Sequence, residues 1–173
     1  SIDSPSGCLL FAFSGVEIMA VKSQPDGYHC VTPYLTVRGA AAAMEFYKSA
    51  FGATEVLRLP MPDGTLAHAE VQIGDSKVMF ADENPAWGNK SPAALGGASG
   101  GVMLYVSDAD AAFARAVSAG ATVRMPVATQ FYGDRCGSVI DPFGHVWTIA
   151  THVEDVPPTE MQARMETWTK SQG

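Results

Sequence analysis

The stretch LAHAEVQIG places His68 and Glu70 two positions apart. Side chains alternate along an extended strand, so His68, Glu70 and Gln72 share one face while Ala67, Ala69, Val71 and Ile73 take the other. An imidazole beside a carboxylate at this spacing suits a general-base pair or two ligands of a divalent ion. Read as plain structure, the same residues are a hydrogen-bonded polar row in a wet groove. Two donors are fewer than the three or four that most protein metal sites use. A second pair of histidines, His145 and His152, brackets DPFGHVWTIATH. Seven positions put them on opposite faces of a strand and roughly 23 Å apart at about 3.3 Å per residue, so they cannot share an ion. His145, beside a turn, is expected to hydrogen-bond loop backbone, and His152, next to the acidic VED, to be a strand-end surface residue. Cys136 has no neighbouring histidine in sequence to activate it as a nucleophile. Arg135 and Asp134 are a candidate ion pair.

The elements that must position these residues occur twice. YLTVRGAAAAMEFYKSAFGATEV (34–56) and MLYVSDADAAFARAVSAGATV (103–123) share one plan, a short alternating strand, an Ala-rich helix, and an SA(F)GAT run into the next strand. Gly52 and Gly120 suit the left-handed position that closes a helix. Ser107, with Asp110 three residues on, predicts a weak capping box for the second helix. LAHAEVQIGDSKVMFAD (66–82) then reads as strand, Gly-Asp turn, strand, and GSVIDPFGHVWTIAT (137–151) as strand, Asp-Pro-Phe-Gly turn, strand. Each half is therefore a βαβββ unit, and an isolated unit would leave one sheet face uncovered. The expected division is an N-terminal extension 1–27, a first module 28–82, a Gly/Pro/Ser-rich linker 83–100, a second module 101–152, and a tail 153–173 with a short helix begun by Pro158. Met19 opens MAVKSQPDGY like a natural start, so residues 1–18 are expected to lie outside the domain proper.

Composition narrows the function. Apolar residues make up 47% of the 173 and charged residues 17%, which argues against disorder. A formal net charge of −7 without a Lys/Arg cluster makes a poor partner for nucleic acid. The apolar run CLLFAFSGV is too short to span a bilayer and has no basic residue before it, so no membrane partner is expected. Three cysteines, Cys8, Cys30 and Cys136, without CxxC spacing, read as free thiols in a reducing cytoplasm. No phosphate loop, nucleophile elbow, HExxH or dinucleotide fingerprint is present.

Paired βαβββ units with DPFGH before the last strand resemble the vicinal oxygen chelate superfamily, which includes glyoxalase I, bleomycin-resistance proteins and extradiol dioxygenases. Within it, TPYLTVRGAAAAMEFYKSAFGA, HAEVQIGDS and FYGDRCGSVIDPFGHVWTIATH look like the PhnB-like branch. The resemblance covers roughly residues 28–152. It implies an α+β fold in which two βαβββ modules form an eight-stranded curled mixed sheet around a cleft, usually completed in a homodimer. It does not fix a reaction, because the fold hosts several. By position, the superfamily's metal ligands fall at Thr32 and Gly101 in the first strands and at Met79 and Thr148 in the last. None is a good ligand for a hard divalent ion.

The parity that puts His68, Glu70 and Gln72 in the groove also puts Tyr34, Thr36, Met103 and Tyr105 there. Phe131, Tyr132 and Arg135 are expected at its mouth, Thr148 in its wall and Trp87 in a covering loop. Aromatics with a few polar groups suit a small organic ligand, and singly each of them equally suits core or interface packing. The leading expectation is a cytoplasmic homodimer that binds such a molecule, with no cofactor. The alternatives are a metal-dependent lyase, isomerase or dioxygenase holding a divalent ion through His68 and Glu70, and a dimeric interaction module with a vestigial groove.

Overall fold

The computed structural model describes residues 21–171, so the expectation for residues 1–18, and Cys8 with it, lies outside the described residues. The first half runs β1 (Tyr34–Val37), α1 (Ala40–Phe51), β2 (Thr54–Pro60), β3 (Leu66–Ile73) and β4 (Ser76–Asp82). A 3-10 turn, Pro85–Trp87, and a single helical turn, α2 (Pro92–Leu95), join it to the second half. That half runs β5 (Gly101–Tyr105), α3 (Ala109–Ser118), β6 (Thr122–Thr129), β7 (Asp134–Ile140) and β8 (Val146–His152), and α4 (Pro158–Ser171) follows.

The eight strands form two four-stranded sheets, ordered β1-β4-β3-β2 and β5-β8-β7-β6, each with one parallel pair. The duplication extends to register: Tyr34 sits opposite Met79, and Met103 opposite Thr148. It extends to capping as well. Asp82 at the end of β4 accepts from the backbone N–H groups of Gly39 and Ala40, and Thr151 in β8 accepts from that of Ala109. Each supplies an acceptor, from the last strand of its own half, to orphan N–H groups at a helix N-terminus. The side-chain cap of α3 is Asp108, which accepts from Ala111 N–H, and not Ser107, because the helix begins one residue later than the SxxD pattern suggests. Gly52 and Gly120 both have positive φ, +67° and +117°, as the helix-ending pattern requires.

Apolar strand faces and both helices share one core. Met44, Tyr47, Phe80, Val139, Trp147 and Ile149 are all buried in it. The halves meet through it: Phe51 of α1 lies 4.5 Å from Trp147 of β8 between ring centroids, and Arg115 of α3 donates to the Ala50 carbonyl at 2.8 Å. No residue of β2 or β6 is buried, and these edge strands expose Val56, Leu57, Leu59, Val123 and Met125. Among the described residues, no helix is long and apolar enough to cross a membrane.

Candidate functional site

β3 delivers its polar face as alternation demands. Glu70 is only 5% exposed, yet its carboxylate is fully hydrogen-bonded. Oε1 lies 2.8 Å from Nε2 of His68, and Oε2 accepts from the Tyr28 hydroxyl. The other ring nitrogen of His68, Nδ1, is 2.8 Å from the hydroxyl of Tyr34 on β1. A carboxylate can only accept, so a neutral His68 carries its proton on Nε2, and Nδ1 accepts from Tyr34. The result is a Tyr34–His68–Glu70 chain running from an exposed phenol to a buried charge. Burial pushes the Glu70 carboxyl up, but hydrogen bonds from Tyr28 and His68, with the His68 and Lys77 charges, outweigh it and leave the group below its ordinary value. Burial, then the Glu70 charge, raises the Tyr34 phenol. The chain suits a polar anchor that orients a ligand group or exchanges a proton with it.

Tyr34 opens onto a cavity of about 790 Å³ lined by β1, β5, the linker between the halves and the start of β8. Thr36, Met103, Leu95, Lys90 and His145 also line it, so Tyr34, Thr36 and Met103 come together here, but beside Leu35 and Val102 of the opposite parity and without Gln72 or Tyr105. The His145 side chain donates from Nε2 to the Thr36 carbonyl at 2.9 Å, so it ties β1 to the second half and bonds strand backbone of the first half, not the loop beside it.

The positions at which the resemblance implies metal ligands are divided. Thr32 and Met79 line a cavity of about 560 Å³ beside Tyr28, Cys30 and Glu70. Gly101 and Thr148 line another, of about 420 Å³, with Met103 and Arg124. The residues do not fit the divalent ion the superfamily implies. Thr, Met and Gly are unsuited donors, and Glu70, the carboxylate beside Thr32 and Met79, already has both oxygens engaged. Among the described residues, no three His, Cys, Asp or Glu side chains gather as a metal site would need.

Other expected site residues lie elsewhere. Gln72 donates to the Gly74 carbonyl at the β3–β4 turn. Trp87, 58% exposed, stands on the 3-10 turn and lines none of these three cavities. Arg135 does not pair with Asp134. Neighbours in a strand face opposite ways, and Arg135 makes two bonds to Asp110 of α3, on the helix side of β7 and away from the groove. Asp134 instead accepts from the Tyr105 hydroxyl at 2.8 Å and from His152 Nδ1 at 2.7 Å, while His152 Nε2 is 3.0 Å from Asp155. The Asp134 bond, then the Asp155 bond, raises the His152 imidazole above its ordinary value, against opposing burial. His152 is thus more than the surface residue its acidic neighbours suggested. Tyr132 meets the buried Cys136 sulfur at 3.3 Å. Tyr28 was missed entirely. It lies in an irregular stretch without periodicity, and only its aromatic type in front of β1 could have flagged it.

Residues 28–149 match the family described as Glyoxalase/Bleomycin resistance protein/Dioxygenase superfamily. The protein Rv0887c of Mycobacterium tuberculosis is 43% identical over 152 residues, covering 86% of this chain and 87% of that protein. Two solved structures superpose: At5g48480 of Arabidopsis thaliana, 31% identical with a TM-score of 0.59, and TioX of Micromonospora sp. ML1, 27% identical with a TM-score of 0.57. Each covers 71% of this chain and 98% of its own. The duplicated βαβββ plan and these matches agree, and the chain belongs to the Glyoxalase/Bleomycin resistance protein/Dioxygenase superfamily.

Proposed function

We propose that this chain is a PhnB-like, homodimeric cytoplasmic protein that binds a small organic molecule in the cleft opened by Tyr34. The observation that carries the reading is the Tyr34–His68–Glu70 chain, which ends at the wall of a cavity large enough for such a molecule. Thr36, Met103 and Leu95 offer contact surface, and the anchored phenol offers one oriented hydrogen bond. Apolar side chains exposed on β2 and β6 support a second copy covering those edges. The exposed Cys30 thiol suits a reducing compartment, and the motifs quoted for the PhnB-like branch support that placement.

The test is a thermal-shift panel of small aromatic and amphipathic compounds, followed by calorimetry, alongside metal analysis of freshly purified protein. The expected result is a ligand whose affinity falls about tenfold in Tyr34→Phe, the loss of one hydrogen bond. Near-stoichiometric metal that disappears in His68→Ala would replace this reading with a metal-dependent enzyme. Neither ligand nor metal would leave an interaction module.

A further inference from the structure

Residues 21–32 precede β1 as an irregular strap across the polar face of the first sheet, and Val21 to Gly27 are all exposed. Its hold on that sheet centres on Tyr28. The Tyr28 hydroxyl donates to Glu70 Oε2, and the Lys77 ammonium sits 3.7 Å from the centroid of its ring. A further contact joins His29 Nδ1 to the Ser76 hydroxyl at 3.4 Å, between exposed or half-exposed groups. Glu70, by contrast, is buried and fixed from its other side by His68. The cavity of about 560 Å³ beside Glu70 is lined by both the strap (Gln24, Tyr28, Cys30) and the sheet (Glu70, Met79).

We propose that the place of the Tyr28 ring, between Glu70 Oε2 and the Lys77 ammonium and bordering this cavity, is a subsite for a phenol, which Tyr28 occupies until an aromatic ligand carrying a hydroxyl group takes its place. The proposal goes beyond the binding reading above, since it concerns a second cavity joined to the first only through the Glu70–His68–Tyr34 chain. A buried, ionised carboxylate must keep a donor at Oε2, so whatever displaces Tyr28 has to bring one. Lys77 decides which. An ammonium ligand would meet its like charge, and an aliphatic alcohol would leave its cation without a ring face. A neutral aromatic hydroxyl keeps both contacts, and the Met79 thioether offers an aromatic ring a soft wall. Tyr28 therefore acts as an internal competitor. Measured affinity in the native chain is the intrinsic affinity scaled down by the fraction of molecules with the strap displaced.

The test uses the full chain and three probes of one size: p-cresol, toluene and benzylamine, measured by calorimetry. Tyr28→Phe, which removes the competing hydroxyl, is expected to bind p-cresol about tenfold tighter than the native chain does. In that variant p-cresol should bind at least about tenfold tighter than toluene, and Glu70→Gln added to it should erase most of the difference. If the Glu70 variant does not fold, Lys77→Gln supplies the second arm, where benzylamine should gain on p-cresol. Equal binding of p-cresol and toluene to Tyr28→Phe, no gain over the native chain, or tighter binding of benzylamine than p-cresol with Lys77 intact would each overturn the subsite. A panel ligand that depends on Tyr34 while p-cresol fails would sink this proposal and leave the wider cleft reading standing.

Discussion

The hydroxyl of Tyr47 in α1 donates to Oδ2 of Asp141, 94 positions further along the chain, at 3.1 Å. The bond is buried and joins the helix of the first half to the turn of the second. Asp141 also accepts from Trp147 Nε1 at 3.0 Å and from the backbone N–H groups of Phe143 and His145, each at 2.9 Å. One carboxylate thus serves four donors from two modules. The arrangement raises the Tyr47 phenol well above its ordinary value, by burial first and then by the Asp141 charge.

Asp141→Ala would strip a partner from four donors at once. It should destabilise the chain by about 3 to 5 kcal/mol, read as a lower urea midpoint with unchanged slope. Tyr47→Phe removes one donor and should cost about 1 kcal/mol. The two substitutions share a bond, so their effects should sum to more than the double variant loses.

Gly133 and Gly64 both hold positive φ, +97° and +87°, but their surroundings differ. A Cβ on Gly133 would lie 2.1 Å from the Glu154 carbonyl oxygen, whereas one on Gly64 meets nothing within 4 Å. Gly64→Ala should cost about 1 to 2 kcal/mol, from backbone strain alone. Gly133→Ala adds a clash with backbone that cannot swing aside and should cost more than about 3 kcal/mol. Thermal denaturation of the two variants side by side gives the ranking.

His152 has its folded value raised by Asp134 and then Asp155. A raised basic group contributes stability that is fully present below its unfolded value, about 6.5, and is lost as pH climbs through the folded value. His152→Gln should therefore lower the melting temperature more at pH 5.5 than at pH 8.5. A gap that widens with pH would show that the two carboxylates do not hold the imidazolium.

Glu70 behaves oppositely. Its folded value lies below the ordinary one, so its contribution is present above the unfolded carboxylate range and fades as pH falls through the folded value. Acid titration should show Glu70→Gln less stable than the native chain near neutrality and converging with it as pH falls below the ordinary carboxylate range.

The donor set at Thr32, Met79, Gly101 and Thr148 predicts that metal is irrelevant to stability. Chelator-treated protein and protein incubated with Zn, Ni or Mn should melt at the same temperature. A rise of several degrees with one ion, abolished by His68→Ala, would relocate the ion to β3.

What the sequence revealed was local or periodic. The duplicated plan, the helix-ending Gly52 and Gly120, the Asp-Pro-Phe-Gly turn and the shared face of His68 and Glu70 all follow from rules of two or 3.6 residues. What it hid depends on contacts between distant segments. Asp141 reads as a turn residue, and nothing local announces Tyr47 as its partner. Asp134 and Arg135 read as a neighbouring pair, yet alternation sends them to opposite faces, where Tyr105 and Asp110 claim them. That error was avoidable, since the parity that placed Glu70 also separates 134 from 135. The direction of the Tyr28 ring is not legible, because an irregular strap has no period from which to infer where a side chain points.

The Tyr47–Asp141 bond, together with the hold of His145 on the Thr36 carbonyl, means that the two copies of the repeat have stopped being interchangeable parts. A gene severed within the linker would yield one fragment with a phenol and an Ala-rich helix flank bared to water, and another with an indole and a carboxylate short of a partner. Neither fragment would stand alone, and mixing them should restore a native-like spectrum that neither gives by itself.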